Sequence, residues 1–364
     1  MRHVRILAQR QPVDEALFEE FAADEARALG TTVEVRWGSV PDGVLDAARA
    51  AREDGVPLIV VTAPDTAHLA ALPREVVPWT LRVDLTLCEP DASPGLLAHI
   101  QGRGIDGVRW ALRTICHRAR RPIERVRYGP GPDQFGDLWL PDRPSAAGIV
   151  VLLHGGFWRS RWQLDLMDAL AADVAERGMA GWNVEYRPPD RHGWDATLTD
   201  VRAALDHVRE LSARFGVDAD RVALVGHSAG GQLAVQVAAD GGAVRPTLVV
   251  QLAGLVDLLE THRRDLGNGA VPAALGGTPE QLPQRYAAAS PIERVPIGVP
   301  QLVVIGRSDS PDLREMSRRY VRAAAAGGDE VELIEDDGDH FTVIDPGSRI
   351  WQRTVEAATA VLDR

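Results

Sequence analysis

RVALVGHSAGGQLA, residues 221–234, decides how the chain is read. Residues 221–225 form a short run of buried-strand type. The run stops at Gly226-His227-Ser228-Ala229-Gly230, and the residues beyond have the composition of a helix. A strand that turns directly into a helix through G-x-S-x-G holds its serine in a tight, strained turn. Gly226 and Gly230 let the neighbouring elements come close enough to permit that turn. The Ser228 hydroxyl then projects at the carboxyl end of a sheet, where open α/β folds bind ligands, and the helix after it aims its first N–H groups at any oxyanion formed there. The pattern predicts a nucleophile at Ser228 rather than a polar residue in a glycine-rich turn.

A serine hydroxyl needs oxyanion donors, a base and an orienting acid. LLHGGFWRS, 152–160, runs from a buried strand into His154-Gly155-Gly156. The N–H groups of Gly155, Gly156 and Ala229 are the expected oxyanion hole. His154 precedes these donors in the same turn and reads as an organiser of the loop. EDDGDHFTVID, 335–345, puts His340 in a polar loop after the last predicted strand, where the base is expected. Among its rivals, His227 is expected to point away from the site and His207 to fall inside a helix. His192 and His262 are expected in loops and stay open as substrate contacts. For the acid, QLVVIGRSDSPDLREMS, 301–317, ends a strand at Gly306 and leaves Asp309 just beyond it. Asp312 is the main alternative, but Ser310-Pro311 has the form of a helix start, which makes Asp312 a first-turn residue favoured by the helix dipole. Asp337 and Asp339 are nearer His340 in sequence, in a segment of the kind where turns carry aspartates. The expected triad is Ser228, Asp309 and His340.

Trp158, Trp162, Trp182 and Trp194 lie near predicted strand ends or loops, and aromatic walls suit a planar or apolar acyl group. Trp182 reads equally well as core. The residues expected to line the pocket are His154, Phe157, Trp158 and Trp194. Residues 255–292 form an insertion that could cap the site, with Arg263 and Tyr286 as candidate contacts.

Working outward, the second α/β series begins at Gly148 and continues to the end of the chain, so 148–364 is read as one catalytic domain. Residues 119–147 are rich in Arg, Pro and Gly; they read as a linker followed by a β-hairpin, RVRYG…GDLWLP. Residues 1–118 alternate strand and helix signals. PLIVVTA is a continuous apolar strand of the kind buried on both faces in parallel sheets. VDEALFEEFAADEARALG and GVLDAARAAREDG are helices closed by glycine. Four β-α units in this span predict a small flavodoxin-like parallel sheet. The expected class is α/β throughout.

Composition narrows the partners. The 364 residues carry a net charge of −12, and every basic side chain other than histidine is arginine. That balance argues against nucleic acid as a partner. Cys88 and Cys116 stand in no CxxC or CxxH pattern, so spacing suggests no metal site. The scarcity of cysteine fits a reducing compartment. The first residues lack a signal-peptide core, and no apolar run approaches the roughly 20 residues of a membrane span. A soluble cytoplasmic protein without membrane contact is expected.

The second half resembles the α/β-hydrolase superfamily over about 122–364, and within it the kynurenine-formamidase-like and hormone-sensitive-lipase-like group. HGGFW, NVEYRPP, GHSAGGQLA, GRSDSP and GDHF are similar to the oxyanion, strand, nucleophile, acid and base segments of that group. The resemblance implies an α/β-hydrolase fold and a serine hydrolase that cleaves a small-molecule carboxylic ester or small amide without a cofactor. Acyl transfer or cyclisation by the same triad stays open, as does a non-enzymatic two-domain scaffold. Residues 4–118 resemble type II 3-dehydroquinate dehydratase in pattern. That family's functional positions fall here on Thr62, near Thr86 and on Val40-Pro41-Asp42, and only His68 matches. The resemblance thus implies a catalytically dead module. Because that family assembles as trimer-based dodecamers, it also implies a homo-oligomer formed through this domain.

Overall fold

The computed structural model describes residues 3–62, 69, 72–88, 96–119, 121–142 and 148–363, the side chains of residues 41 and 42 excepted. The chain divides into two compact units, Met1–Arg120 and Arg121–Arg364.

The first unit runs β1 (Val4–Gln9), α1 (Glu15–Ala28), β2 (Val33–Gly38), α2 (Val40–Glu53), β3 (Leu58–Thr62), β4 (Thr80–Asp84), β5 (Ala98–Gln101) and α3 (Asp106–Arg118). All strand neighbours are parallel, in the order β2-β1-β3-β4-β5, the flavodoxin-like arrangement. Every residue of β3 is buried, as a strand covered on both faces must be. The sheet has five strands where the sequence pattern predicts four units. The additional one, AHIQ, is short and carries His99 and Gln101, so it lacks an apolar signature. β4 ends at Asp84, and residues 85 and 86 bend. His68 lies outside the described residues.

The second unit runs β6 (Ile123–Arg127), β7 (Phe135–Trp139), β8 (Gly148–Leu153), α4 (Asp168–Glu176), β9 (Ala180–Val184), α5 (Pro189–His192), α6 (Trp194–Asp206), α7 (Val208–Phe215), β10 (Asp218–His227), α8 (Ala229–Asp240) and β11 (Leu248–Leu252). It continues with α9 (Leu258–Arg263), α10 (Ala270–Leu275), α11 (Pro283–Ala289), β12 (Gln301–Gly306), α12 (Pro311–Gly327), β13 (Val331–Asp336) and α13 (Arg349–Leu362). These strands make one sheet, β13-β12-β11-β10-β8-β9-β7-β6. β7 is antiparallel to both β6 and β9, and the other pairings are parallel. The hairpin β6–β7 is therefore the edge of the main sheet. Arg125 holds it closed by donating two hydrogen bonds, of 2.7 and 2.9 Å, to the buried Asp137 carboxylate across the pair.

The centre of the sheet is apolar because helices cover both faces: β8, β11 and β12 are buried along their whole length. All five central strands, β9, β8, β10, β11 and β12, run in one direction. Their carboxyl ends, where the chain must turn into loops, thus collect along one edge. No described helix is long and apolar enough to cross a membrane.

Candidate active site

β10 ends at His227, and Ser228 is the N-cap of α8 with φ 51° and ψ −115°. A side chain in that region is strained, and the close approach of three elements enforces it. A Cβ on Gly226 would stand 2.1 Å from the Gly230 carbonyl oxygen. One on Gly230 would stand 2.3 Å from the carbonyl oxygen of Leu153 at the end of β8. The Ser228 N–H donates to the Leu252 carbonyl at 2.8 Å, which fixes the turn to β11.

His340 Nε2 lies 3.1 Å from Ser228 Oγ, and His340 Nδ1 lies 2.9 Å from Asp309 Oδ2. Ser228 and Asp309 are buried, whereas the His340 side chain is 25% exposed. The loops after β12 and β13 converge because Gly306 has no side chain: a Cβ there would sit 2.1 Å from the Gly338 carbonyl oxygen. The Arg307 and Ser308 N–H groups donate to the Asp336 and Gly338 carbonyls at 2.7 and 2.9 Å. Asp339 shapes the turn that carries His340, accepting from the Phe341 and Thr342 N–H groups and the Thr342 hydroxyl. The hydroxyl bond, more than any other interaction, lowers the Asp339 pKa. Asp312 is turned elsewhere, in the first turn of α12, pairing with Arg264 at 2.8 Å. Asp337 pairs with Arg307.

The glycine loop after β8 closes over the serine from the opposite side. A Cβ on Gly155 would meet Ser228 Cβ at 2.9 Å, so that backbone lies directly against the hydroxyl-bearing residue. Gly156, Phe157 and Trp158 all have positive φ, at 114°, 52° and 57°. Among the described residues, the Gly155 and Gly156 N–H groups meet no backbone acceptor. The Ala229 N–H is the first of α8 and has no partner within the helix. Gly155 of the loop and Ala229 at the start of α8 therefore adjoin Ser228.

Two features were not legible in the sequence. The first is Glu185, just after β9. Its buried carboxylate accepts from the Leu164 N–H at 2.9 Å and the Tyr186 N–H at 3.2 Å, and meets His154 Nε2 at 3.2 Å. Tyr186 stacks on His154 at 4.3 Å and donates its hydroxyl to the His154 carbonyl at 2.8 Å. His154 is thereby fixed inside the loop. An acid immediately after a buried strand was the available signal.

The second is His227, which does not point away from the site. It is fully buried, packs 4.9 Å from the His340 ring, and donates from Nε2 to the His340 carbonyl at 2.9 Å. Burial above all, then the charge of His340, pushes its pKa from 6.5 down to about 3, so this ring is neutral at ordinary pH. The other histidine expectations also change. His192 ends α5, His262 lies in α9, and His207 stands at the junction of α6 and α7.

Of the four expected pocket residues, Phe157 is half-buried, with its ring against Gly267. His154, Trp158 and Trp194 are buried. Trp158 and Trp194 meet edge to face at 5.8 Å, and Trp158 donates to Gln232 on α8 at 3.1 Å. Trp182 is core, with no exposed surface. Arg263 and Tyr286 line a separate cavity of about 570 Å³ with His262 and Glu280, and none of Ser228, Asp309 and His340 is among its lining residues.

Residues 137–315 match the BD-FAE family model. Esterase LipC of Mycobacterium tuberculosis is 26% identical over 243 residues, 61% of this chain and 60% of the relative. Esterase LipQ of the same organism is 27% identical over 256 residues, 65% of this chain and again 60% of the relative. Among solved structures, a truncated form of carbohydrate esterase from gut microbiota superposes with a TM-score of 0.60 at 19% identity, over 67% of this chain and 97% of that one. The bacterial heroin esterase superposes at 0.55 and 22% identity, over 66% of this chain and 83% of that one. These likenesses and the strand order give the second unit the α/β-hydrolase fold.

Proposed function

We propose that the second unit is a serine hydrolase of carboxylic esters. The observation that carries this reading is the relay of 3.1 and 2.9 Å from Ser228 Oγ through His340 to Asp309, beside Gly155 and Gly156, whose N–H groups meet no backbone acceptor among the described residues. In the first half-reaction Ser228 Oγ attacks the ester carbonyl carbon while His340 Nε2 takes the hydroxyl proton. The Asp309 carboxylate accepts from Nδ1–H, so it holds the ring in the reactive tautomer and stabilises the imidazolium. The carbonyl oxygen gains charge and is met by the N–H groups of Gly155, Gly156 and Ala229, aided by the positive end of α8. His340 returns the proton to the departing alkoxide, leaving an acyl-Ser228. Water, deprotonated by the same ring, then releases the acid and restores the serine.

The names of the matched relatives support esters over amides. The test is labelling with a fluorophosphonate together with p-nitrophenyl esters of increasing chain length. The wild-type protein should label at Ser228 and hydrolyse the short esters. Ser228→Ala should lose the label and about 10⁴–10⁶ in kcat. A folded wild-type protein that takes no label, or an alanine variant that labels equally, overturns the reading.

A further inference from the structure

In the first unit, where the end of β4 runs beside β5, three donor groups of different chemistry converge. An Asp84 carboxylate oxygen, Cys88 Sγ and a His99 ring nitrogen all lie within 4.8 Å of one another. We propose that Asp84, Cys88 and His99 form a site for a divalent metal ion of the zinc class.

Distances come first. Cys88 Sγ is 3.9 Å from His99 Nε2, and His99 Nε2 is 2.6 Å from Asp84 Oδ2. Two donors on one tetrahedral zinc stand about 3.3–3.6 Å apart, given bond lengths near 2.0–2.3 Å. The sulfur and nitrogen need only a small contraction. The nitrogen and carboxylate need to part by less than about 1 Å, as when an ion replaces the proton they now share.

Asp84 supplies a second, independent observation. It is 1% exposed, and its Oδ1 is buried with no hydrogen-bond partner among the described residues. A buried carboxylate oxygen without a donor is costly unless a cation meets it. Arg82 contacts Oδ2, with Nε 2.6 Å away, and therefore orients the carboxylate without occupying Oδ1. Its other end lies 3.7 Å from Cys88 Sγ, a position that favours the thiolate over the thiol. Gln101 holds the Cys88 backbone, accepting from its N–H at 3.1 Å. A thiolate, an imidazole and a carboxylate form a donor set suited to zinc or cobalt, and poorly suited to magnesium or calcium. Binding would release the thiol proton, now directed at Gln101 Oε1 3.3 Å away. No sequence spacing could reveal such a site, because Asp84 and His99 are neighbours only through the β4–β5 pairing.

The test uses the full chain, stripped with a chelator and titrated with Co²⁺. One equivalent should produce a thiolate-to-cobalt charge-transfer band that added Zn²⁺ abolishes. The band should be absent in Cys88→Ser and retained in Cys116→Ser. If Cys88→Ser does not fold, alkylation of Cys88 by iodoacetamide in the wild-type protein gives the answer. One equivalent of Zn²⁺ should slow it at least about tenfold, and Mg²⁺ should not. No band with cobalt in excess, a band that survives Cys88→Ser, or alkylation indifferent to Zn²⁺ overturns the proposal. Ester hydrolysis plays no part in these readings, so its failure would leave them intact.

Discussion

His227 carries a thermodynamic cost that its neighbours Ser228 and His340 do not reveal. Its ring is neutral in the folded chain down to a pH of about 3, whereas in the unfolded chain it takes a proton near pH 6.5. Between those two values the unfolded state holds more protons, so stability falls as pH falls, by about 1.4 kcal/mol per unit for this one group. Above about pH 6.5 both states are neutral and the cost vanishes. Denaturant unfolding of the second unit should show this slope, and His227→Gln should flatten it by that amount; parallel slopes would refute the assignment. The direction of the ring could not be read from GHSAGG, because the strained torsion at Ser228 decides which way each neighbour faces. The tight turn at Ser228 was legible, since Gly226 and Gly230 stand where a Cβ would strike a neighbouring carbonyl. Asp309 was separable from Asp312 by the same kind of reasoning: Ser310-Pro311 starts a helix, and a helix start commits the residue after it.

At the level of elements, the distance between acid and base depends on how closely β12 and β13 release their loops. Gly306 is the point where those loops touch. In Gly306→Ala the methyl group would strike the Gly338 carbonyl, and the loop carrying His340 must retreat. A displacement of about 1 Å at a reacting group costs on the order of 10²-fold in rate. Steady-state kinetics on the folded variant should therefore show a fall of about that size in kcat, with KM little changed. Wild-type kcat would show that the contact is not needed for alignment. The strand that opens the second series at Gly148 was legible because its residues are apolar without a break, and the start of α12 because Ser310-Pro311 is a local helix-start signal. AHIQ was not, because its polar side chains are satisfied by partners on β4 and in the turn beyond it, and no local pattern records such partners. The hairpin's place was hidden for a related reason, since only the pairing of β7 with β9 makes it part of the large sheet.

At the level of the whole molecule, each unit completes its own sheet. Residues 121–364 include every group assigned to ester hydrolysis. The fragment beginning at Arg121 should thus fold and give the kcat/KM of the full chain on p-nitrophenyl acetate. A fragment that folds but loses activity would show that the first unit contributes to the reaction.

The torsion of φ 51° at Ser228 has an outcome that reaches beyond catalysis. A side chain held there costs on the order of 1–3 kcal/mol, and glycine would remove most of it. Ser228→Gly should melt above the wild type while hydrolysing nothing, an order that calorimetry can check. In a lineage freed from selection for turnover, this would then be among the earliest positions to drift, since thermodynamics would reward its loss.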